Sequence, residues 1–225
     1  MQSLEILQRK IVKCEQCPRL TAYRAEVGRV KRRAYRDWDY WAKPVPGFGD
    51  AQARLLLIGL APGAHGANRT GRMFTGDSSG DFLYKVLYAT GFASQPTSVS
   101  RDDGLKLMDA YISAAVRCAP PDNKPTVEEI RTCRPYLERE LELLKRAQVV
   151  VALGRLAFDV YLGILGVRRS AFAFAHNAEH RTGENHPLLI SSYHPSQQNT
   201  STGKLTEPMF RAVFERARQH LRSTK

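Results

Sequence analysis

The sequence predicts an α/β protein, a three-layer α/β/α sandwich around a four-stranded parallel sheet. Three observations carry that expectation. Four short segments, 54–60, 111–116, 148–153 and 188–193, are apolar, rich in aliphatic and β-branched residues, and lack strict alternation. Strands covered on both faces look like this, because neither side needs to be polar. Helical patterns fill the gaps between them, the βαβ signature. At 225 residues the chain has room for one well-buried domain with at most an appendage. Residues 1–225 are therefore read as a single domain with a basic N-terminal segment over about 1–50.

Residues 1–10 lack the apolar core of a signal peptide, and no run approaches the ~20 apolar residues that span a bilayer. An intracellular protein without a membrane partner is expected. Cys14-Glu15-Gln16-Cys17 comes next, a C-x2-C pair. Between Arg19 and Arg36 lie seven basic residues with only Glu26 against them, followed by Trp38, Tyr40 and Trp41. Such a mixture suits a phosphate-rich partner, since cations displace counterions and rings stack on bases. A solvated helix with a buried aromatic end would read the same way, but the net charge of +12 favours nucleic acid.

The first strand runs into Gly59-Leu60-Ala61-Pro62-Gly63-Ala64-His65-Gly66-Ala67-Asn68-Arg69-Thr70-Gly71-Arg72-Met73-Phe74-Thr75-Gly76-Asp77. Glycines let backbone N–H groups approach a ligand without a wall of side chains. The same loop carries an aromatic ring, a carboxylate and polar donors, the inventory of a pocket for a flat, polar ligand. A helix with Phe82, Leu83, Val86 and Leu87 on one face follows Asp77. Residues 92–104 read as a loop. Arg117-Cys118-Ala119-Pro120-Pro121-Asp122-Asn123-Lys124-Pro125 follows the second strand, and Thr126-Val127-Glu128-Glu129 makes a capping box for the next helix. Pro135 is expected to kink that helix or mark its start. Gly154-Arg155 follows the third strand and opens a helix to about 162. Residues 176–187 read as a loop, in which His176 and His180 sit as exposed polar residues rather than as a metal pair. His194-Pro195-Ser196-Gln197-Gln198-Asn199-Thr200 follows the fourth strand, and a last helix runs over about 208–222.

In a parallel sheet, ligands bind beyond the carboxyl ends of the strands. Here all the unusual loops fall at that edge, so they converge on one site. The four cysteines, Cys14, Cys17, Cys118 and Cys133, could ligate zinc or an iron–sulfur cluster, or be four buried thiols. Disulfides are not expected in a reducing compartment. No Gly-Lys-Ser/Thr follows the glycine loop, which argues against a phosphate-transferring nucleotide enzyme and a nucleotide cofactor.

The Ala-Pro-Gly and Gly-Arg-Met-Phe-Thr-Gly-Asp elements of the first loop, with His194-Pro195-Ser196, resemble the two motifs of the uracil-DNA glycosylase superfamily. In detail, from Gly59 to Gly71 and from His194 to Thr200, the sequence is similar to the family-five enzymes of thermophiles and other prokaryotes. The likeness runs from Cys14 to the last helix. It implies hydrolysis of the N-glycosidic bond of uracil, and of other deaminated bases such as hypoxanthine, in DNA by a cytoplasmic, monomeric repair enzyme. It also implies a structural [4Fe–4S] cluster on Cys14, Cys17, Cys118 and Cys133. By the same likeness Phe74 stacks on an extruded base, N–H groups at Gly63, Ala64 and His65 bond its carbonyl, and His194 donates to the same edge. Asp77 stabilises the sugar cation or orients water, Asn123 positions base or water, and Arg69, Arg72, Gln197, Gln198 and Asn199 are expected against DNA.

Two positions depart from relatives. Leu60 stands where family-four enzymes carry an acid, and Ala64-His65 supply none, leaving Asp77 as the nearest carboxylate. Ala114 stands where many relatives have an asparagine that reads the edge of uracil. An alanine cannot make those paired hydrogen bonds, so looser base recognition is expected. A catalytically silent, cluster-bearing nucleic-acid-binding module would share the charge and the cysteines, but would have no use for an Asp/His pair across one pocket.

Overall fold

The computed structural model describes residues 3–223. Helices α1 (Leu4–Val12) and α2 (Pro18–Val30) come first, then the two-residue strand β1 (Phe48–Gly49) and β2 (Leu55–Gly59). Helices α3 (Ala67–Thr70) and α4 (Ser78–Ala89) precede β3 (Ala110–Ala114). Helix α5 (Val127–Leu143), β4 (Val149–Leu153) and α6 (Arg155–Ile164) follow. The chain closes with β5 (Ala178–His180), β6 (Leu188–Ser192), α7 (Gln197–Ser201) and α8 (Glu207–Ser223).

The sheet order is β1-β3-β2-β4-β6-β5, with β3, β2, β4 and β6 parallel and both edge strands antiparallel. The four parallel strands are those expected. The sheet nevertheless has six strands, not four, and β5 occupies part of a segment expected to be loop. Burial explains the missing alternation. Leu55, Leu57, Val149 and Val151 pack with α4 and α8 on one face. Leu56, Ile58, Val150 and Ala152 pack with α5 and α6 on the other. Every residue of the four parallel strands is buried, so each side needs an apolar residue.

Local signals set the helix ends. The Asp77 carboxylate accepts the Gly80 N–H at 2.9 Å and caps α4. Thr126 and Glu129 form the capping box of α5. Pro135 lies inside α5 rather than at its start. A third packed group holds α1 and α2 against the sheet edge and contains all four cysteines. Among the described residues, no helix is long and apolar enough to cross a membrane.

After β2 the chain crosses to β3 on one side and then to β4 on the other. That reversal leaves a crevice at the carboxyl edge, and the loops after β2, β3 and β6 open into it.

Candidate active site

A cavity of about 800 Å³ lies at this edge. Its floor and walls come from the β2 loop (Gly63, Ala64, His65, Phe74, Asp77), from Ala114 and Asn123 after β3, and from His194, Gln197 and Gln198 after β6. Residues separated by more than a hundred positions are thus brought together, as the strand order requires.

The loop after β2 is built around Asp77. A methyl group on Gly66 would sit 1.8 Å from Asp77 Oδ2, and one on Gly63 would sit 2.9 Å away. Both glycines therefore clear the space the carboxylate occupies. Burial raises the Asp77 carboxyl above the ordinary aspartate value, although the Gly80 N–H opposes that shift. Ala64 and His65 line the cavity, and their backbone N–H groups donate to no acceptor among the described residues. Free N–H groups at a cavity wall are ready donors for a ligand carbonyl.

Phe74 closes the pocket on one side. Its ring lies against Gly59, where a Cβ would meet it at 3.0 Å, and its centroid is 5.9 Å from that of His194. Phe74, Asp122 and Asn123 all take positive φ, at 51°, 54° and 57°. Left-handed backbone is costly for residues other than glycine and persists where the surroundings impose it, commonly at functional sites. Gly154, with φ of 96°, leaves room for the His194 Cβ, which would be 3.3 Å from any methyl there. Burial pulls the His194 imidazole down to about 4. At neutral pH the ring is therefore uncharged, an N–H donor that adds no charge to the pocket.

Three of the sequence-expected DNA contacts lie elsewhere, and each is a correction. Arg69 is buried, donating to the carbonyls of His65 and Gly76 at 2.8 and 2.7 Å. Arg72 is buried in a two-pronged pair with Asp103, at 2.8 Å on each prong, with Thr75 and Ser98 alongside. The Asn199 amide is spent on the His194 carbonyl at 2.9 Å and so holds that residue in place. Arg72 is neutralised by Asp103, whereas Arg69 and Asn199 turn donors onto backbone carbonyls inside the protein.

The basic N-terminal run also divides. Arg19 pairs with Glu129 and Arg29 with Glu26, while Arg24 is buried. Arg32 and Arg33 are exposed, and their guanidinium groups have no partner among the described residues. Arg32 and Tyr35 line the cavity, and sequence reasoning missed both. The cluster of cations and rings was a signal, but nothing in it showed which members reach the pocket.

The four cysteines line one small second cavity together with Tyr136. The Cys133 sulfur accepts the Arg117 backbone N–H at 3.3 Å. Buried Arg24 donates to the Cys14 carbonyl at 3.3 Å, and its Nε makes no hydrogen bond. No three metal-binding side chains among the described residues close on a single ion. Four soft thiols around one shared space are a donor set that fits zinc or an iron–sulfur cluster.

Comparison with known proteins agrees with this geometry. The profile of the uracil DNA glycosylase superfamily matches residues 46–218. A type-5 uracil-DNA glycosylase of Thermus thermophilus is 53% identical over 217 residues, 96% of this chain and 97% of that protein. One from Pyrobaculum aerophilum is 47% identical over 208 residues, covering 92% and 89%. A type-4 uracil-DNA glycosylase of Archaeoglobus fulgidus is 31% identical over 219 residues, covering 96% and 89%.

Proposed function

Because the chain belongs to the uracil-DNA glycosylase superfamily, we propose that it hydrolyses the N-glycosidic bond of uracil in DNA, and that its pocket also admits other deaminated bases such as hypoxanthine. One observation carries the reading. A carboxylate and an uncharged imidazole, Asp77 and His194, line one cavity with an aromatic ring and free backbone N–H groups.

The chemistry asks for those groups. An extruded base loses its stacking partners, and the Phe74 ring replaces them. Cleavage leaves electron density on the base and positive charge on the sugar. The N–H groups of Ala64 and His65 and the neutral His194 donate to the oxygen where negative charge grows. A single preorganised donor of this type contributes about 3–4 kcal/mol in the transition state. Asp77, ionised, stabilises the sugar cation or orients the water that attacks it, and Asn123 helps position that water. The hydroxyl goes to the sugar carbon and the base departs with a proton from water.

The broader substrate range is supported by Ala114. Its methyl group lines the pocket without donors or acceptors for a particular base edge. The four cysteines would hold a [4Fe–4S] cluster whose part is to fasten α1 and α2 beside the pocket. Equal iron and sulfide with a broad visible absorption would support that assignment. A colourless protein with stoichiometric zinc would overturn it.

Release of free base from a duplex carrying one uracil tests the function, comparing the wild type with His194→Ala and Asp77→Ala. The wild type is expected to release base, His194→Ala to be slower by ~10²–10³ for its lost donor, and Asp77→Ala to be slower as well. DNA binding without base release by the wild type would instead mark a silent binding module. A panel with hypoxanthine in place of uracil tests the substrate range separately.

A further inference from the structure

We propose that Arg32 binds a phosphate of the DNA backbone beside the extruded nucleotide. The inference rests on the glycosylase reading above and names a contact that reading does not supply. Among the described residues, Arg32 is the only lysine or arginine lining the cavity, whose acidic members are Asp77 and Asp122. A polyanion approaching two carboxylates needs a compensating cation at the mouth. The two arginines of the β2 loop are buried and turned inward, Arg72 onto Asp103 and Arg69 onto backbone carbonyls. Arg32 is exposed, and its guanidinium is unpartnered among the described residues.

Its position is fixed, which separates it from an ordinary surface arginine. Residues 31–41 form a strap over the β2 loop. The Arg69 guanidinium lies over both the Tyr35 and Trp38 rings, 3.9 and 4.0 Å from their centroids, an attraction strengthened where water is excluded. The Tyr40 hydroxyl meets His65 Nδ1 at 3.0 Å. The Trp41 backbone N–H donates to the Arg69 carbonyl at 2.9 Å and the Ala42 backbone N–H to that of Asn68 at 3.0 Å. The buried Arg69 thus serves DNA indirectly, by clamping the strap that carries Arg32.

Phosphate, rather than the leaving base, is the ligand that fits. The base is served by Phe74, His194 and the loop N–H groups within the cavity. Arg32 stands exposed on the rim, where the backbone of an extruded nucleotide must pass. A guanidinium matches a phosphate with two parallel hydrogen bonds.

The experiment measures DNA affinity by fluorescence anisotropy and base excision by single turnover, across a range of salt, with a uracil-containing duplex. Arg32→Ala is expected to weaken binding by about tenfold and to lower the slope of log affinity against log salt by about one. The excision rate at saturating enzyme should stay near that of the wild type, and Arg32→Lys should recover part of the affinity. Lys10→Ala, an exposed charge-matched control outside the cavity, should change neither. Unchanged affinity and slope in Arg32→Ala would overturn the proposal. So would a lost saturating rate with an unchanged slope, because Arg32 would then act on the leaving base. A wild type that binds DNA but releases no base would sink the glycosylase reading alone, since the binding arm still reports on Arg32.

Discussion

Replacing Glu140 with leucine keeps most of the side-chain volume and removes its charge. Glu140 and Arg117 are 0% and 1% exposed, and their ion pair lies behind β3. Glu140 also accepts the Ser113 hydroxyl at 2.5 Å and that of Tyr111 at 3.2 Å, and Arg117 donates to Ser113 at 2.8 Å. Glu140→Leu strands a guanidinium in the interior. Breaking one side of a buried pair costs about 3–5 kcal/mol. At ~2–4 °C per kcal/mol for a domain of this size, Tm should fall by about 6–20 °C. The double variant Arg117→Met/Glu140→Leu removes both charges and should recover most of that loss. Glu140→Gln, which keeps the acceptor oxygen, should fall between wild type and Glu140→Leu. Thermal unfolding followed by circular dichroism, with a urea titration on the same samples, measures these three variants and Arg117→Met alone. Losses in the double variant equal to the sum of the two single variants would refute the reasoning, because they would show no coupling between the charges.

Gly66→Ala should slow base excision by roughly 10²-fold while leaving the fold intact, because the new methyl displaces the Asp77 carboxylate and small misplacements are costly. Single-turnover assays with circular dichroism as the fold check would decide; unaltered excision would show that Asp77 can move freely. The pH profile of the excision step should show no transition near the ordinary imidazole value, since His194 is held down to about 4 and is uncharged across neutrality. Acidification should instead abolish activity through a carboxyl group titrating above the ordinary aspartate value, as Asp77 loses the charge that burial already disfavours. A transition near pH 6.5 that vanishes in His194→Gln would contradict this. Phe74→Leu should weaken binding of an extruded base by about 1–3 kcal/mol, the range for losing one stacking ring, as read from KM on uracil DNA.

The parallel core was legible because double-sided burial leaves a mark, mainly apolar segments without strict alternation. The edge strands were not, since two or three residues at β1 and β5 are too few to show a period. Strand-end loops pointed to the cavity through topology alone, which is why Asp77, His194 and Asn123 could be grouped before any geometry was known. Arg69 and Arg72 deceived for a general reason. An arginine beside glycines resembles a phosphate ligand, and only the fold reveals that Asp103, thirty-one positions from Arg72, already neutralises it. Arg32 and Tyr35 were hidden by the reverse problem, because their neighbours in space lie in a loop that the sequence places far downstream.

The strap places two properties on separate parts of the molecule, so that each can be changed without the other. Bond cleavage belongs to groups at the ends of the central strands, where any change disturbs the core that positions them. The grip on the polymer proposed for Arg32 belongs to a short surface stretch near the amino terminus, pinned by stacked rings and a few backbone contacts. Lineages living at different internal salt concentrations could retune the second by exchanging a handful of exposed side chains. The catalytic inventory would pass through such adaptation untouched.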